Sequence, residues 1–298
     1  MNLYRKLFIS GSWQMAFRVN DNHWPFNYEK EFIPLPNDNK FWYADPLLFE
    51  DNGKVYLFCE AFNKKEQKGE LALLEWLDGE WSSPKVIIAN NYHMSYPNVF
   101  KYDGRYYMIP ESAECGSLEL YVAHEFPYGW KKECNIIEKA NLADPTVYEY
   151  EGCLYMYAWD ETEPQYKGCL YKLDMDNKAC HLVTELPYQE NVARPAGYFI
   201  RVGDEFLRPA QNSKNMYGEG IFWYKVKVDK GGYTEDISDA LDVGKVRIEN
   251  CNGEKRIHTF SSCSNLEVID FCQFKFDLFK RFKILKRKWM LAQRKSTK

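Results

Sequence analysis

The sequence predicts an all-β fold made of repeated four-stranded units, and three observations predict it. The stretch ADPLLFEDNGKVYLFCE, Ala44 to Glu60, is rewritten three times: prolines stand at Pro46, Pro97, Pro145 and Pro195, spaced 51, 48 and 50 residues. A hairpin glycine follows each, at Gly53, Gly104, Gly152 and Gly203, and three residues later comes an aromatic ring, Tyr56, Tyr107, Tyr155 or Phe206. Each copy also reads as short β-rich runs parted by turn residues. In the first, Asp45 to Phe49 and Val55 to Cys59 flank Asp51-Asn52-Gly53, and runs at Glu70 to Trp76 and Trp81 to Ile88 flank Asp78-Gly79. A period near 50 residues with four antiparallel strands per unit is the signature of radially arranged blades, and the chain reads as a five-bladed β-propeller with a short C-terminal amphipathic helix.

The chain has 298 residues, 45% of them hydrophobic and 17% aromatic, enough for a large core, with the aromatic excess suited to packing between blades. One domain, residues 1–273, is expected. Residues 1–40 hold one plausible strand, Trp13 to Val19, which closes the ring by completing the last blade. Four blades occupy about 41–90, 91–140, 141–190 and 191–245, and a short fifth, 246–273, opens at Ile257-His258-Thr259-Phe260. The fourth-strand tryptophan of blade one, Trp81, recurs as Trp130, with Cys180 in the next copy.

The nine cysteines are scattered, odd in number and form no CxxC pair, so neither a zinc site nor a disulfide framework is expected. The opening MNLYRKLFISGSW has too short an apolar run for a signal peptide, and no run approaches the 18 or so apolar residues of a membrane span. A reduced, cytoplasmic protein is expected. From Phe274 the composition changes: residues 274–298 carry ten Lys or Arg against one Asp, leaving the body near -13 and the tail near +9 of a net charge of -4. On a helix, Leu278, Phe282, Leu285, Trp289 and Ala292 fall in one stripe among cations, the pattern of a helix lying on an anionic membrane surface. A basic helix packed on the propeller is the plainer alternative. The acidic body argues against nucleic acid.

In a radial fold, matching positions of different blades meet at the axis. The residues before the repeat prolines are Asp45, Tyr96, Asp144 and Arg194, with His258 entering blade five in a similar place. Seven residues after each hairpin glycine stand Glu60, Glu111, Trp159 and Ala210, with Arg208 and Gln211 beside the last. Carboxyl groups gathered in one funnel push their pKa values apart, leaving one as an acid and another as base or nucleophile, the division that glycosidic-bond chemistry needs. Arg194 and Arg208 suit a phosphate or a sugar carboxylate, unless they serve to neutralise the acids. Trp42 and Trp159 offer faces for a sugar ring, and His258 is placed to orient a carboxylate or touch substrate. No metal and no cofactor is expected: the remaining histidines form no ligand spacing, GxGxxG and P-loop motifs are absent, and Asp174-Met175-Asp176 sits in a polar turn at a blade's outer edge.

The phrases FWYADPLLFEDNGKVYLF, MSYPNVFKYDGRYYMIPES, ARPAGYFIRVGDEFLRPAQ and RIHTF, in this order, resemble the N-terminal domain of glucosamine inositolphosphorylceramide transferases. The resemblance spans about residues 10–270. It implies membership of a superfamily of five-bladed propellers that includes arabinanases, β-xylosidases and invertases. It also implies that Asp45 matches the base or nucleophile, Asp144 the acid that steadies the transition state, and Glu111, or next Glu60, the general acid. Blade two carries Ser95-Tyr96-Pro97 where some of these glycosidases have a further aspartate. The expected function is therefore an enzyme making or remodelling a glycosidic bond, by transfer rather than hydrolysis, in surface polysaccharide or glycolipid assembly. Its expected substrate is a saccharide or glycolipid, with a sugar nucleotide as a further candidate, met from the cytoplasm at the inner membrane face. The competing expectation is a non-catalytic propeller that docks a glycan or a partner transferase.

Overall fold

The computed structural model describes residues 9–20, 27–162, 166–187, 194–203, 205–229 and 232–276, together with 282, 284, 285 and 289. Five antiparallel sheets follow one another along the chain. Blade one comprises Phe41–Asp51, Lys54–Asn63 and Lys68–Leu77, with its outer strand split into Glu80–Trp81 and Lys85–Ile88. The single outer run expected there is broken at Ser82-Ser83-Pro84, where proline has no N–H for the ladder. Blade two is Ser95–Tyr102, Arg105–Glu111, Ser117–Glu125 and Tyr128–Glu138, and blade three Leu142–Tyr150, Cys153–Asp160, Lys167–Asp174 and Ala179–Pro187. Blade four is Ile200–Val202, Glu205–Asn212, Gly220–Asp229 and Gly232–Ala240.

Blade five joins the two ends of the chain. Phe260–Cys263 is its inner strand and Leu266–Phe276 its second, the short Lys255–Arg256 pairs with that second strand at Gln273 and Cys272, and the N-terminal part supplies the two outer strands, Ile9–Val19 and Ile33–Leu35. The N-terminal strand pairs without a slip from Ile9 opposite Phe276 to Val19 opposite Leu266. One closing strand was expected and two are present. A buried clasp fixes the join: Arg18 Nε donates to Glu267 Oε2 at 2.6 Å, Asn20 Nδ2 donates to the same carboxylate, and the Arg18 guanidinium lies 4.3 Å from the Phe32 ring centroid.

The glycine repeat is a turn repeat. Asn52-Gly53, Asp103-Gly104 and Glu151-Gly152 all have positive φ at both residues, 51° and 74°, 46° and 72°, 48° and 72°. This is the two-residue hairpin turn whose twist matches the flanking strands. The core is not one body but five layers, each between neighbouring blades, which is why it closes into a ring. Of the repeat aromatics, Tyr56, Tyr107 and Tyr155 pack toward the following blade and Phe206 toward the preceding one. All nine cysteines are free. Asp174 caps its own turn by accepting from Asn177 N at 3.0 Å, so the Asp-Met-Asp stretch is a tight turn.

Beyond Phe276 the described residues Phe282, Ile284, Leu285 and Trp289 are α-helical, and the rest of the tail lies outside the described residues. No helix among the described residues is long and apolar enough to cross a membrane.

Candidate functional site

The residue before the proline is turned by a bulge. Asp45, Tyr96 and Asp144 have φ of 49°, 46° and 49°, and the strand register shifts between Ala44 and Leu47, Ser95 and Asn98, and Ala143 and Thr146. A left-handed backbone at a residue other than glycine costs about 1–2 kcal/mol, so three matching instances are strain held by the surrounding sheet. The extra residue re-aims its side chain out of the ladder. Blade four lacks this arrangement: Arg194 precedes Pro195, which makes an isolated bridge to Ala210, and Gly197 at φ 142° lies where a Cβ would come within 1.8 Å of Phe260 O.

Two linked groups of side chains result. Between blades five and one, His258 Nε2 lies 3.1 Å from Asp45 Oδ1 and its Nδ1 2.8 Å from Asp270 Oδ1. Thr259 Oγ1 donates to Asp45 at 3.2 Å, and Asp270 accepts from the backbone N–H groups of Asp45 (3.0 Å), His258 (3.1 Å) and Thr259 (2.9 Å). Across the funnel, Arg194 serves three carboxylates: Nε donates to Asp144, Nη1 to Glu161 at 2.8 Å and Nη2 to Glu111 at 3.0 Å. Gln211 Nε2 donates to Asp144 Oδ2 at 2.7 Å, and Asp144 N donates to Glu111 Oε2 at 3.1 Å. Above Arg194 opens a cavity of about 190 Å³ lined by Trp159, Glu161, Tyr166, Arg194, Ser213 and Tyr217. Tyr217 links the two groups, its ring centroid 5.2 Å from that of His258, while the Trp13 ring lies tilted against the same imidazole at 4.1 Å.

These surroundings drive the carboxyl groups apart. Burial pushes Asp45 up, but the hydrogen bond and charge of His258, the charge of Arg194 and the Thr259 hydroxyl outweigh it and hold Asp45 below the usual range. Glu60, 5% exposed, goes well above it, through burial and then through repulsion by Asp45 and Glu111. Its Oε1 has no hydrogen-bond partner, and His93 Nε2 lies 3.6 Å from it. Asp144 is also raised, because burial together with Glu111 and Asp45 exceeds the pull of Arg194. His258 is lowered by burial but lifted further by Asp270 and Asp45, to about 10. The funnel thus pairs an Asp45 shifted toward its ionised form with a Glu60 shifted toward its protonated form. Asp45, His258 and Asp270 each offer one metal-ligand atom, all within 4.8 Å of one another. A cation there would have to displace the His258 proton.

The buried Glu60 also makes stability depend on pH. A carboxyl whose folded pKa is raised keeps its proton after the unfolded chain has lost it near pH 4.3, so it erodes stability as pH rises above that value. Glu60→Gln is expected to raise the melting temperature at pH 7 and to leave it almost unchanged at pH 4. Equal shifts at both pH values would show that Glu60 is not held protonated.

The structure brings Asp45, Glu60, Glu111, Asp144, Arg194, Gln211 and His258 together, with Trp159 on the cavity wall. It separates the others. Arg208 is fully buried between Tyr157 and Tyr224, 4.1 and 4.8 Å from their ring centroids, and its Nε and Nη2 donate to the two carboxylate oxygens of Glu235, at 2.8 and 2.7 Å. Its expected role toward substrate gives way to one inside the layer between blades three and four. Tyr96 is fully buried, its hydroxyl 2.9 Å from Thr146 Oγ1 and accepting from Gly197 N at 2.8 Å, so it ties three blades rather than facing the mouth. Trp42 stacks on Phe62 at 4.4 Å and is not part of the cavity wall. Asp270, Trp13, Glu161, Tyr166, Ser213 and Tyr217 were not anticipated. Asp270 carried a signal, as a lone charge in the apolar run Val268 to Cys272, and Glu161 another, two residues beyond Trp159.

The comparisons with known proteins agree with this architecture. A family model described as the N-terminal part of glucosamine inositolphosphorylceramide transferase 1 matches residues 36–263. Glucosamine inositolphosphorylceramide transferase 1 of Arabidopsis thaliana is 29% identical over 228 residues, covering 72% of this chain and 30% of that protein. Its namesake from Oryza sativa subsp. japonica is 27% identical over 231 residues, with 72% and 31% covered. The chain therefore spans about a third of the length of the curated relatives it matches. Among solved structures, Zg3597, a family 117 glycoside hydrolase of Zobellia galactanivorans, superposes with a TM-score of 0.56 at 14% identity over 90% of this chain and 91% of that one. An endo-arabinase from Bacteroides thetaiotaomicron gives 0.52 at 13% identity, with 78% and 93% covered, a likeness of fold. The match across most of the chain settles the family: this protein belongs to that of the N-terminal domain of glucosamine inositolphosphorylceramide transferase.

Proposed function

We propose that the funnel binds a saccharide and makes or remodels a glycosidic bond during assembly of a glycolipid or surface polysaccharide. The observation that carries this reading is the pair of carboxyl groups driven in opposite directions in one buried funnel, Asp45 down and Glu60 up. Such a pair supplies the base or nucleophile and the acid that glycosidic chemistry needs. In this reading Asp45 is the ionised partner. Glu60 holds the proton in place of Glu111, whose Oε2 is engaged by Arg194 and by Asp144 N. Trp159, Tyr166 and Tyr217 provide ring faces for a sugar in the cavity, and Glu161 and Ser213 provide polar edges for its hydroxyl groups.

The relatives are named as transferases of glucosamine inositolphosphorylceramide, which supports a glycolipid as the substrate class and transfer over hydrolysis in this reading. A sugar nucleotide or a lipid-linked sugar is the donor we propose. This reading puts its site of action in the cytoplasm, at the inner face of the membrane. Each of the three nitrogens of Arg194 donates to a carboxylate, which argues against phosphate binding at that guanidinium. The test is turnover of nucleotide-sugar, lipid-linked and aryl-glycoside donors. Asp45→Asn and Glu60→Gln are each expected to lower the rate by about a hundredfold or more, the usual contribution of acid–base catalysis. Unaltered rates in both variants would remove these carboxyl groups from the chemistry.

A second reading, a propeller that only holds a glycan, is favoured by one fact: the side chains of Asp45 and Asp144 are 8% and 1% exposed, nearly sealed beneath the cavity. Calorimetric binding of an oligosaccharide that stays intact on long incubation, and that Trp159→Ala abolishes, would support it over catalysis.

A further inference from the structure

Blade five shows where the basic tail leaves the body. In blades one to four the second strand runs from the hairpin to the mouth, ending at Asn63, Glu111, Asp160 and Asn212 and carrying Glu60, Glu111, Trp159 and Gln211 to the funnel. Leu266–Phe276 is the second strand of blade five and has the same direction. It continues six residues past Asp270, about 20 Å at the rise of an antiparallel strand. Near its end the Arg256 guanidinium lies 4.5 Å from the Phe274 ring centroid, and Arg256 Nη1 donates at 3.3 Å to the carbonyl of Tyr217, a residue of the cavity wall. The chain is therefore handed over on the side where the funnel opens.

Among the described residues beyond this strand is an exposed apolar stripe. Phe282, Leu285 and Trp289 are helical and 69%, 66% and 64% exposed. At 100° per residue they lie within about 60° of one another. Lys280, Arg281, Lys283, Lys286, Arg287 and Lys288 stand among them in the sequence. Large exposed apolar rings beside a dense cationic cluster match a lipid surface with anionic headgroups, where the rings enter the acyl boundary and the cations meet phosphate and carboxylate. Nucleic acid would use the cations but leave the stripe in water. The body, near -13, is repelled by the same surface, so attachment is confined to the tail.

We propose that the segment after Phe276 seats in an anionic bilayer surface and that, delivered from the mouth end of blade five, it turns the funnel toward that membrane. The inference concerns attachment and orientation and is independent of whether the funnel performs chemistry. Its test uses the full chain with vesicles of phosphatidylcholine alone or with phosphatidylserine added. Co-sedimentation is expected with the anionic vesicles alone and is expected to fall as salt rises. Leu285→Glu with Trp289→Glu is expected to weaken it at least tenfold while the melting temperature stays unchanged. Hydrogen exchange on the bound protein is expected to slow at residues 213–219 beside the cavity and to be unaffected at the hairpins 51–54, 102–105 and 150–153 on the opposite end. Undiminished sedimentation of the variant, equal binding to neutral vesicles, or binding of duplex RNA as tight as that of anionic vesicles would overturn the attachment. Protection at the hairpins in place of the mouth would overturn the orientation.

Discussion

His258→Ala is expected to destabilise the folded chain by about 3–5 kcal/mol, because it removes the one cation between two buried carboxylates. Asp45 and Asp270 both lie against the imidazole, at 3.1 and 2.8 Å, with side-chain exposures of 8% and 0%. Without His258, only the Thr259 hydroxyl and the charge of Arg194 at Asp45, and the backbone N–H groups at Asp270, remain against burial and mutual repulsion. The pH dependence distinguishes this from a simple packing loss. The pKa of His258 rises from the usual 6.5 to about 10 on folding. A group raised in this way contributes its full stabilisation below its unfolded value and loses it as pH climbs through the folded one. The gap between wild type and His258→Ala should thus be widest near pH 6 and shrink steadily toward pH 10. Denaturant unfolding at pH 6, 8 and 10 measures it. A gap independent of pH would mean that the histidine is buried neutral.

Arg208→Ala is expected to cost a similar 3–5 kcal/mol, by stranding a buried Glu235 whose side chain is 4% exposed and opening the slot between Tyr157 and Tyr224. Replacing both partners has a different expected outcome. Arg208→Met with Glu235→Gln fills the slot without a charge and should recover most of the loss, since a buried ion pair often contributes little beyond an apolar pair of the same shape. Saccharide binding per folded molecule should be the same in wild type and the double variant. Loss of binding in a fully folded double variant would return Arg208 to the substrate. These two variants probe opposite sides of one question, namely which of the polar side chains in the inner strands hold the ring together and which are open to a ligand.

The repeat itself contained part of that answer. Five residues after the hairpin glycine, blades one to three carry Phe58, Ile109 and Tyr157, all fully buried between blades. Arg208 occupies this same slot in blade four, so its position in the repeat pointed to the core rather than to the mouth, and the guanidinium is satisfied there by a carboxylate from the outer strand. Asp270 stands in the equivalent slot of blade five, where the hairpin Ser264-Asn265 has no glycine to mark the register. There the neighbour is the bulged backbone of Asp45 and not an apolar blade face, so the same slot faces the axis.

The sequence by itself determined the blade count, the hairpin turns and the meeting of Asp45, Glu111, Asp144, Arg194 and His258, because a period near 50 residues and a strand alternation of two fix which end and which face each residue occupies. The tertiary structure decided the rest: that two N-terminal strands close the ring, that Trp13, Glu161, Tyr217 and Asp270 complete the funnel, and that Glu60 Oε1 is left without a hydrogen bond while Glu111 is bound by Arg194. Partnership among carboxyl groups depends on separations of a few ångströms set by how adjacent blades twist against each other. No repeat spacing along the chain encodes those distances, and charge at low dielectric amplifies every one of them.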